Sequence, residues 1–292
     1  MRQADNKLGA GLMVASMAGF ALEDVFFKSA TQTAQVGPSL ITFGALGLLL
    51  FAGYSLLRQE AVFHSAVFHR SQLIRSAFEL MGRLFYGLAL AYAPLASTSA
   101  ILQATPIVVT IGAVFVFGEV VGWRRWAAMF VGLVGVLIIL RPGIGGFELT
   151  SLFAVLGMLG FAGRDLATRA SPASMTMAQL GTLGFSVLVL AGAILTILEG
   201  VPPALPAGVP LLKLIAAALV GVFAYSALNA AMRVGDVGFV APFRYTRLVF
   251  ALILAVTLFG ERPDGFVLLG AVVIVAAGLY SFLRDRALKS PH

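Results

Sequence analysis

Apolar residues run through this chain in blocks of about 20, the length a helix needs to cross the roughly 30 Å hydrocarbon core of a bilayer. Polar, charged and turn-forming residues are confined to short gaps between the blocks. The pattern predicts ten helices, at 8–30, 38–57, 72–92, 95–117, 123–140, 149–169, 174–198, 211–232, 239–259 and 266–283. The strict alternation of a transmembrane β-barrel is missing, so helices are the remaining way to satisfy the backbone inside lipid. The longest connections, 58–71 and 199–210, are too short to form a soluble domain.

The blocks repeat. "MAGFALEDVFFK" at 17–28 returns as "MLGFAGRDLATR" at 158–169, an offset of 141. "FGE" at 117–119 returns at 259–261, an offset of 142. The Ala89-Leu90 pair matches Ala231-Met232 at that same offset. The chain therefore reads as two copies of a five-helix unit, 1–144 and 145–292. Because five crossings are odd, the second copy enters the membrane upside down, giving an inverted repeat of the kind that secondary transporters build around a midplane site. The expected fold is an all-α integral membrane protein, ten transmembrane helices in two inverted five-helix repeats around a central cavity. The first block is read as a retained helix rather than a signal peptide, since it lacks an A-x-A cleavage pattern and its repeat partner lies in mid-chain.

Composition agrees with lipid as the solvent. The 292 residues are 60% hydrophobic and 11% charged, against about 25% charged in an average soluble domain. The net charge of +7 would suggest nucleic-acid binding in a soluble protein. Here the basic residues sit in connections instead. Thirteen of them, from Arg2 and Lys7 to Arg286 and Lys289, fall on one side, and only Arg141 and Arg262 on the other. The positive-inside rule then places both termini in the cytoplasm. The chain has no cysteine, and its three histidines, His64, His69 and His292, lie in connections or at the terminus. A metal site is not expected.

The fourth and ninth blocks, "TPIVVTIGAVFVFGE" and "YTRLVFALILAVTLFGE", each end in Gly-Glu. With two five-helix halves and the stretch "ALAYAPLASTSAILQATPIVVTIGAVFVFGE" at 88–119, the chain resembles the EamA-type drug/metabolite transporter superfamily over nearly its whole length. In length and in its two-charge opening helix it resembles the bacterial amino-acid exporters of that superfamily. The resemblance implies a carrier in the bacterial inner membrane that exports amino acids or related small metabolites by alternating access. "LEDVFF" stands where members often have tryptophan-glycine, and "RYTRLV" in the second half faces "QATPIV" in the first; both departures bear on the ligand rather than the fold.

Charges inside the blocks are the candidate chemistry, because a charge at a helix centre costs about 2.5–3.5 kcal/mol. Asp24 with Lys28, and Asp165 with Arg169, are spaced i,i+4 and can pair on one helix face. Lying in opposite-facing copies, they are candidates for an outer and an inner gate, or for structural pairs that snorkel to an interface. Arg75, Glu79 and Arg83 share one face of the third helix, with Glu79 and Arg83 near mid-depth. On the ninth helix, Arg244 and Arg247 offer planar guanidinium forks suited to a carboxylate or phosphate; one of the two could instead pair internally with Glu79. Gln103 and Tyr245 complete the candidate substrate set of Glu79, Arg83, Gln103, Arg244, Tyr245 and Arg247. Glu23 has Arg164 as its repeat partner, so its charge reverses between halves. The two Gly-Glu pairs are expected to end helices, with glycine left-handed and the acid near the next helix's positive N-terminal end.

An intramembrane enzyme would need a nucleophile with a base, or a metal cluster, and none is legible. A channel would share the polar interior but not the need for inverted halves. There is no nucleotide-binding loop, and no cofactor is expected. The expected partners are a small-molecule substrate and the lipid bilayer, with no nucleic acid, and the chain is expected to act as a monomer.

Overall fold

The computed structural model describes residues 5–118, 122–141, 148–169, 175–200, 202, 204–235 and 240–289. Among them are α1 (Asn6–Thr31), α2 (Val36–Leu57), α3 (Arg70–Tyr92), α4 (Leu95–Leu102), α5 (Thr105–Phe117), α6 (Trp123–Leu140), α7 (Ser151–Arg169), α8 (Met177–Leu198), α9 (Val209–Val234), α10 (Thr246–Phe259) and α11 (Gly265–Lys289). Among the described residues, seven spans are long and apolar enough to cross a membrane, and Trp126–Leu140 and Gly265–Tyr280 are shorter apolar helices. The tenth crossing is α3, whose charges keep it out of the apolar set.

Two helices expected to be continuous are broken. The fourth divides at Gln103–Ala104 into α4 and α5, because Pro106, in the first turn of α5, lacks the N–H that a continuous helix would bond. The ninth opens with a 3-10 turn, Ala241–Tyr245, containing Pro242, and becomes α-helical at Thr246. A further 3-10 turn, Ser65–Phe68, lies in the connection expected to be irregular. The breaks meet: the Gln103 side-chain amide donates to the Arg244 carbonyl at 3.3 Å.

The most extensive packing is between halves: α1 on α9, α2 on α8, α3 on α7, and α6 on α11. Every pair is antiparallel. From one end to the other, Gly9 meets Gly235, Gly19 meets Ala224 and Glu23 meets Gly221 along α1 and α9. On α3 and α7, Gly82 meets Gly160 and Tyr86 meets Gly157. The repeat offsets of 141 and 142 carry Gly19 to Gly160 and Gly82 to Ala224, so the Gly19–Ala224 and Gly82–Gly160 crossings are the same contact made twice. The α6–α11 contact maps onto itself, since the offset of 142 carries Gly132 to Ile274 and Gly135 to Ala277, and Gly132 lies on Ala277 as Gly135 lies on Ile274. Equivalent helices packed antiparallel are what inversion requires.

The close approaches need glycine. A Cβ on Gly160 would lie 2.3 Å from the Gly82 backbone nitrogen, so no side chain fits where α3 and α7 cross. The helices before both Gly-Glu pairs end as expected, with Gly118 at φ 66° and Gly260 at φ 62°. The start of α1 is tied to the end of α9, where Asp5 donates its amide to the Val234 carbonyl, and Tyr280 of α11 borders Trp123 at the start of α6.

Candidate functional site

The charged residues of α3 form a ladder on one face. Arg75 Nη2 lies 3.0 Å from Glu79 Oε2, and Arg83 Nε lies 3.7 Å from Glu79 Oε1. From α7, Arg164 Nη1 reaches the same Oε1 at 3.9 Å. Arg164 also pairs with its neighbour Asp165 at 2.8 Å, and Arg75 Nε donates to Thr168 Oγ1 at 3.0 Å. Glu79 is buried and serves three guanidiniums. Arg83 is held between the rings of Phe161 and Phe185, each 5.9 Å from its guanidinium carbon, a cation–π setting that orients it without neutralising it.

A second cluster joins the halves. Arg247 Nη2 donates to Asp24 Oδ2 at 2.7 Å and to the Tyr86 hydroxyl at 3.2 Å, while Tyr86 donates to the same Asp24 oxygen at 3.0 Å. Asp24 and Tyr86 are buried. The internal partner of Arg247 is therefore Asp24, not Glu79. Asp24 does not pair with Lys28 within α1. The rival partners explain this: Asp24 is taken from α10 and α3, while Lys28 is close enough to the end of α1 to reach free carbonyls. Its Nζ donates to Leu90 O at 3.1 Å and Ala93 O at 2.6 Å, the acceptors left at the α3 C-terminus.

That corner is held from both sides. Glu261 accepts from the Leu95 and Ala96 amides at 2.6 and 2.9 Å, so it caps α4 of the other half. The expected cap on the following helix is made instead by Asp264, which accepts from Phe266 and Val267 and pairs with Arg141. Glu119, the other acid of the repeat, lies outside the described residues. Close by, a recess of about 310 Å³ is lined by Ser97, Arg141, Glu148 and Glu261 among others.

The remaining candidates are scattered. The Arg244 side chain is exposed. A Cβ on Gly278 would overlap the Tyr245 hydroxyl, so that ring is turned against α11. Gln103 spends its amide on the contact between the two helix breaks. The Arg169 side chain lies outside the described residues, and Asp165 pairs with Arg164. Tyr86 is a member of the Asp24–Arg247 cluster that the sequence pattern did not single out; Gly157, which packs directly against it, was the available sign that Tyr86 is buried at an interface.

Paired antiparallel repeats with buried ion pairs between them define a membrane carrier fold. The profile of the EamA-like transporter family matches residues 7–141 and again 148–283. The chain belongs to that family. It is 29% identical over 220 residues to a protein of Rickettsia prowazekii (strain Madrid E) described as an S-adenosylmethionine uptake transporter, covering 72% of each chain. It is 30% identical to a riboflavin transporter of Rhizobium johnstonii, covering 71% of this chain and 68% of that one. A pseudopaline exporter of Pseudomonas aeruginosa (strain UCBPP-PA14) is 26% identical over 92% of this chain and 95% of its own. One solved crystal structure superposes with a TM-score of 0.58 at 21% identity, covering 94% of this chain and 99% of that one, a likeness of fold.

Proposed function

We propose that this protein is a secondary transporter of amino acids or related small metabolites in the bacterial inner membrane, working by alternating access with both termini cytoplasmic. The carrying observation is the balance of the interior charges. Glu23, Asp24, Glu79 and Asp165 face Arg75, Arg83, Arg164 and Arg247, four acids with four guanidiniums. A site of that kind suits a solute bearing both signs and repels a purely cationic one. Export is the direction implied by the resemblance to amino-acid exporters and is in keeping with the pseudopaline exporter, matched over 92% of this chain. The corner held by Lys28 and Glu261 supplies a closure at the Thr31 end, and Arg83 and Arg247 are the guanidiniums that this reading assigns to the solute's carboxylate.

The test is counterflow in proteoliposomes with a panel of radiolabelled amino acids, S-adenosylmethionine and riboflavin. The expected result is uptake of a labelled amino acid or amino-acid-bearing solute, accelerated by the same unlabelled solute inside. Exchange of riboflavin alone would refute the substrate class, and flux without trans-stimulation would mark a pore.

A further inference from the structure

Away from the interior charges, α6 and α11 form a groove of about 360 Å³, lined by Trp123, Arg124, Ala127, Val131, Ala277 and Tyr280 among others. Ala277 is buried at its floor, while Trp123 and Tyr280 are exposed at its rim. From Trp123 to Val131 the groove follows about 12 Å of helix, most of the depth of one leaflet's hydrocarbon at about 15 Å. Its walls are apolar except at one end, where Arg124 stands.

That end is the membrane boundary. The apolar stretches of the two helices are Trp126–Leu140 and Gly265–Tyr280, so Trp123 and Tyr280 sit at their edges, where aromatic residues meet lipid headgroups. Basic residues gather at the same level. Arg124 lies over the Trp123 ring at 5.6 Å, with no carboxylate bound to it among the described residues. Arg125 follows it in sequence, and α11 continues past Tyr280 with Arg284, Arg286 and Lys289 against one acid, Asp285. The α6–α11 crossing maps onto itself, so its opposite end is a built-in comparison. The offset of 142 sets Gly265, Phe266, Leu269 and Ile138 where this end has Trp123, Arg124, Ala127 and Tyr280. The arginine over Phe266 there, Arg141, is already paired with Asp264.

We propose that this groove binds one anionic phospholipid, with the lipid phosphate at Arg124 and an acyl chain lying along Ala127 and Val131 over Ala277. An apolar trench that opens to the bilayer fits a hydrocarbon chain, and a cationic end at headgroup depth fits an anion, the arrangement by which basic pockets between spanning helices hold acidic headgroups. A zwitterionic phospholipid would carry its own cation into the same basic collar. A second copy of the chain seated about a two-fold axis through the groove would set Arg124 against Arg124, like charge on like. The site holds whichever solute the carrier moves, because none of the interior ion pairs contributes to it.

Tryptophan fluorescence reads the groove directly, because the chain's two tryptophans are Trp123 and Trp126, and Trp126 is turned toward Phe115, ring centroids 6.5 Å apart. The full chain carrying Trp126→Phe, which leaves Trp123 as sole reporter, is reconstituted into mixed phosphatidylglycerol and phosphatidylcholine vesicles in which one lipid or the other bears bromines on its acyl chains. Brominated phosphatidylglycerol is expected to occupy the quenching site about fivefold more readily than brominated phosphatidylcholine, the preference that one arginine near an anionic surface provides. Arg124→Gln in the same background should bring that ratio close to one, and Arg124→Lys, which keeps the charge, should retain most of it. With Arg124 in place, raising the salt to about 1 M should shrink the preference by screening, a readout that needs no further variant to fold. Equal quenching by the two lipids, a preference that survives Arg124→Gln or about 1 M salt, or no quenching by either lipid because a second copy covers the groove would each overturn the proposal.

Discussion

The α1–α9 and α7–α3 pairs occupy equivalent places in the two repeats, and they have diverged in opposite ways. Their backbones cross at the same positions, Gly19 on Ala224 and Gly160 on Gly82. Their charges do not match: Arg164 is neutralised by Glu79 and Asp165 within the protein, whereas Glu23 faces the bare backbone of Gly221. Duplication kept the geometry of the crossings between the two halves and relaxed the charges. Under the proposed carrier reading, recognition is expected where the halves differ and the mechanics where they agree.

The largest effect that bears on this contrast is expected at the bridge between halves. Arg247→Ala leaves Asp24 buried without its cation, a change that costs about 3–5 kcal/mol. Thermal unfolding in detergent should fall accordingly, and Asp24→Asn in the same chain should recover part of the loss because the orphaned charge is gone. If Arg247→Ala unfolds like the wild type, the Asp24–Arg247–Tyr86 cluster does not hold the halves together.

Overpacking the two equivalent crossings gives a smaller and more discriminating comparison. Gly160→Ala drives a methyl into the Gly82 backbone at 2.3 Å, and Gly19→Ala meets the Ala224 methyl at 2.8 Å. A cost of about 1–3 kcal/mol is expected for the first and less for the second. Equal losses would mean that the crossings relax alike despite their different closeness.

The smallest effect belongs to the cap on α11. Asp264 accepts from the Val267 and Phe266 amides and faces Arg141, and these contacts hold its carboxyl below the ordinary aspartate value. A carboxyl whose pKa is lowered by folding stabilises the fold above its unfolded value of about 3.9 and loses that contribution as pH falls through the folded value. Asp264→Ala should cost about 1 kcal/mol near neutral pH, and the difference from wild type should vanish in acid. A difference that persists at low pH would point to packing rather than capping.

Much of this was legible in the sequence, for reasons the residues themselves supply. The helix count follows from lipid length, and the inversion follows from an odd number of helices in a duplicated unit. The shared face of Arg75, Glu79 and Arg83 follows from i,i+4 spacing on α3, which the structure keeps. Partners across the bundle were not legible. Local spacing offered Lys28 to Asp24, but tertiary contacts from α3 and α10 prevailed and Lys28 went to the free carbonyls of Leu90 and Ala93. The reach of Glu261 to α4, rather than to its own following helix, is likewise set by which helix ends meet, which a linear pattern does not contain. The break at Gln103 was foreshadowed by Pro106; the 3-10 turn at Ala241–Tyr245 had the same sign in Pro242, one that the apolar run around it concealed.

The measurement that bears most directly on the divergence of the two halves is the thermal stability of Glu23→Gln and Arg164→Gln in the absence of substrate. Removing the charge of Arg164 takes a cation from Glu79 and Asp165 and should lower the melting temperature, whereas removing that of Glu23 relieves an unpaired buried carboxylate and should raise it. Opposite signs at repeat-equivalent positions are the predicted result; a melting temperature that falls in both would contradict the account.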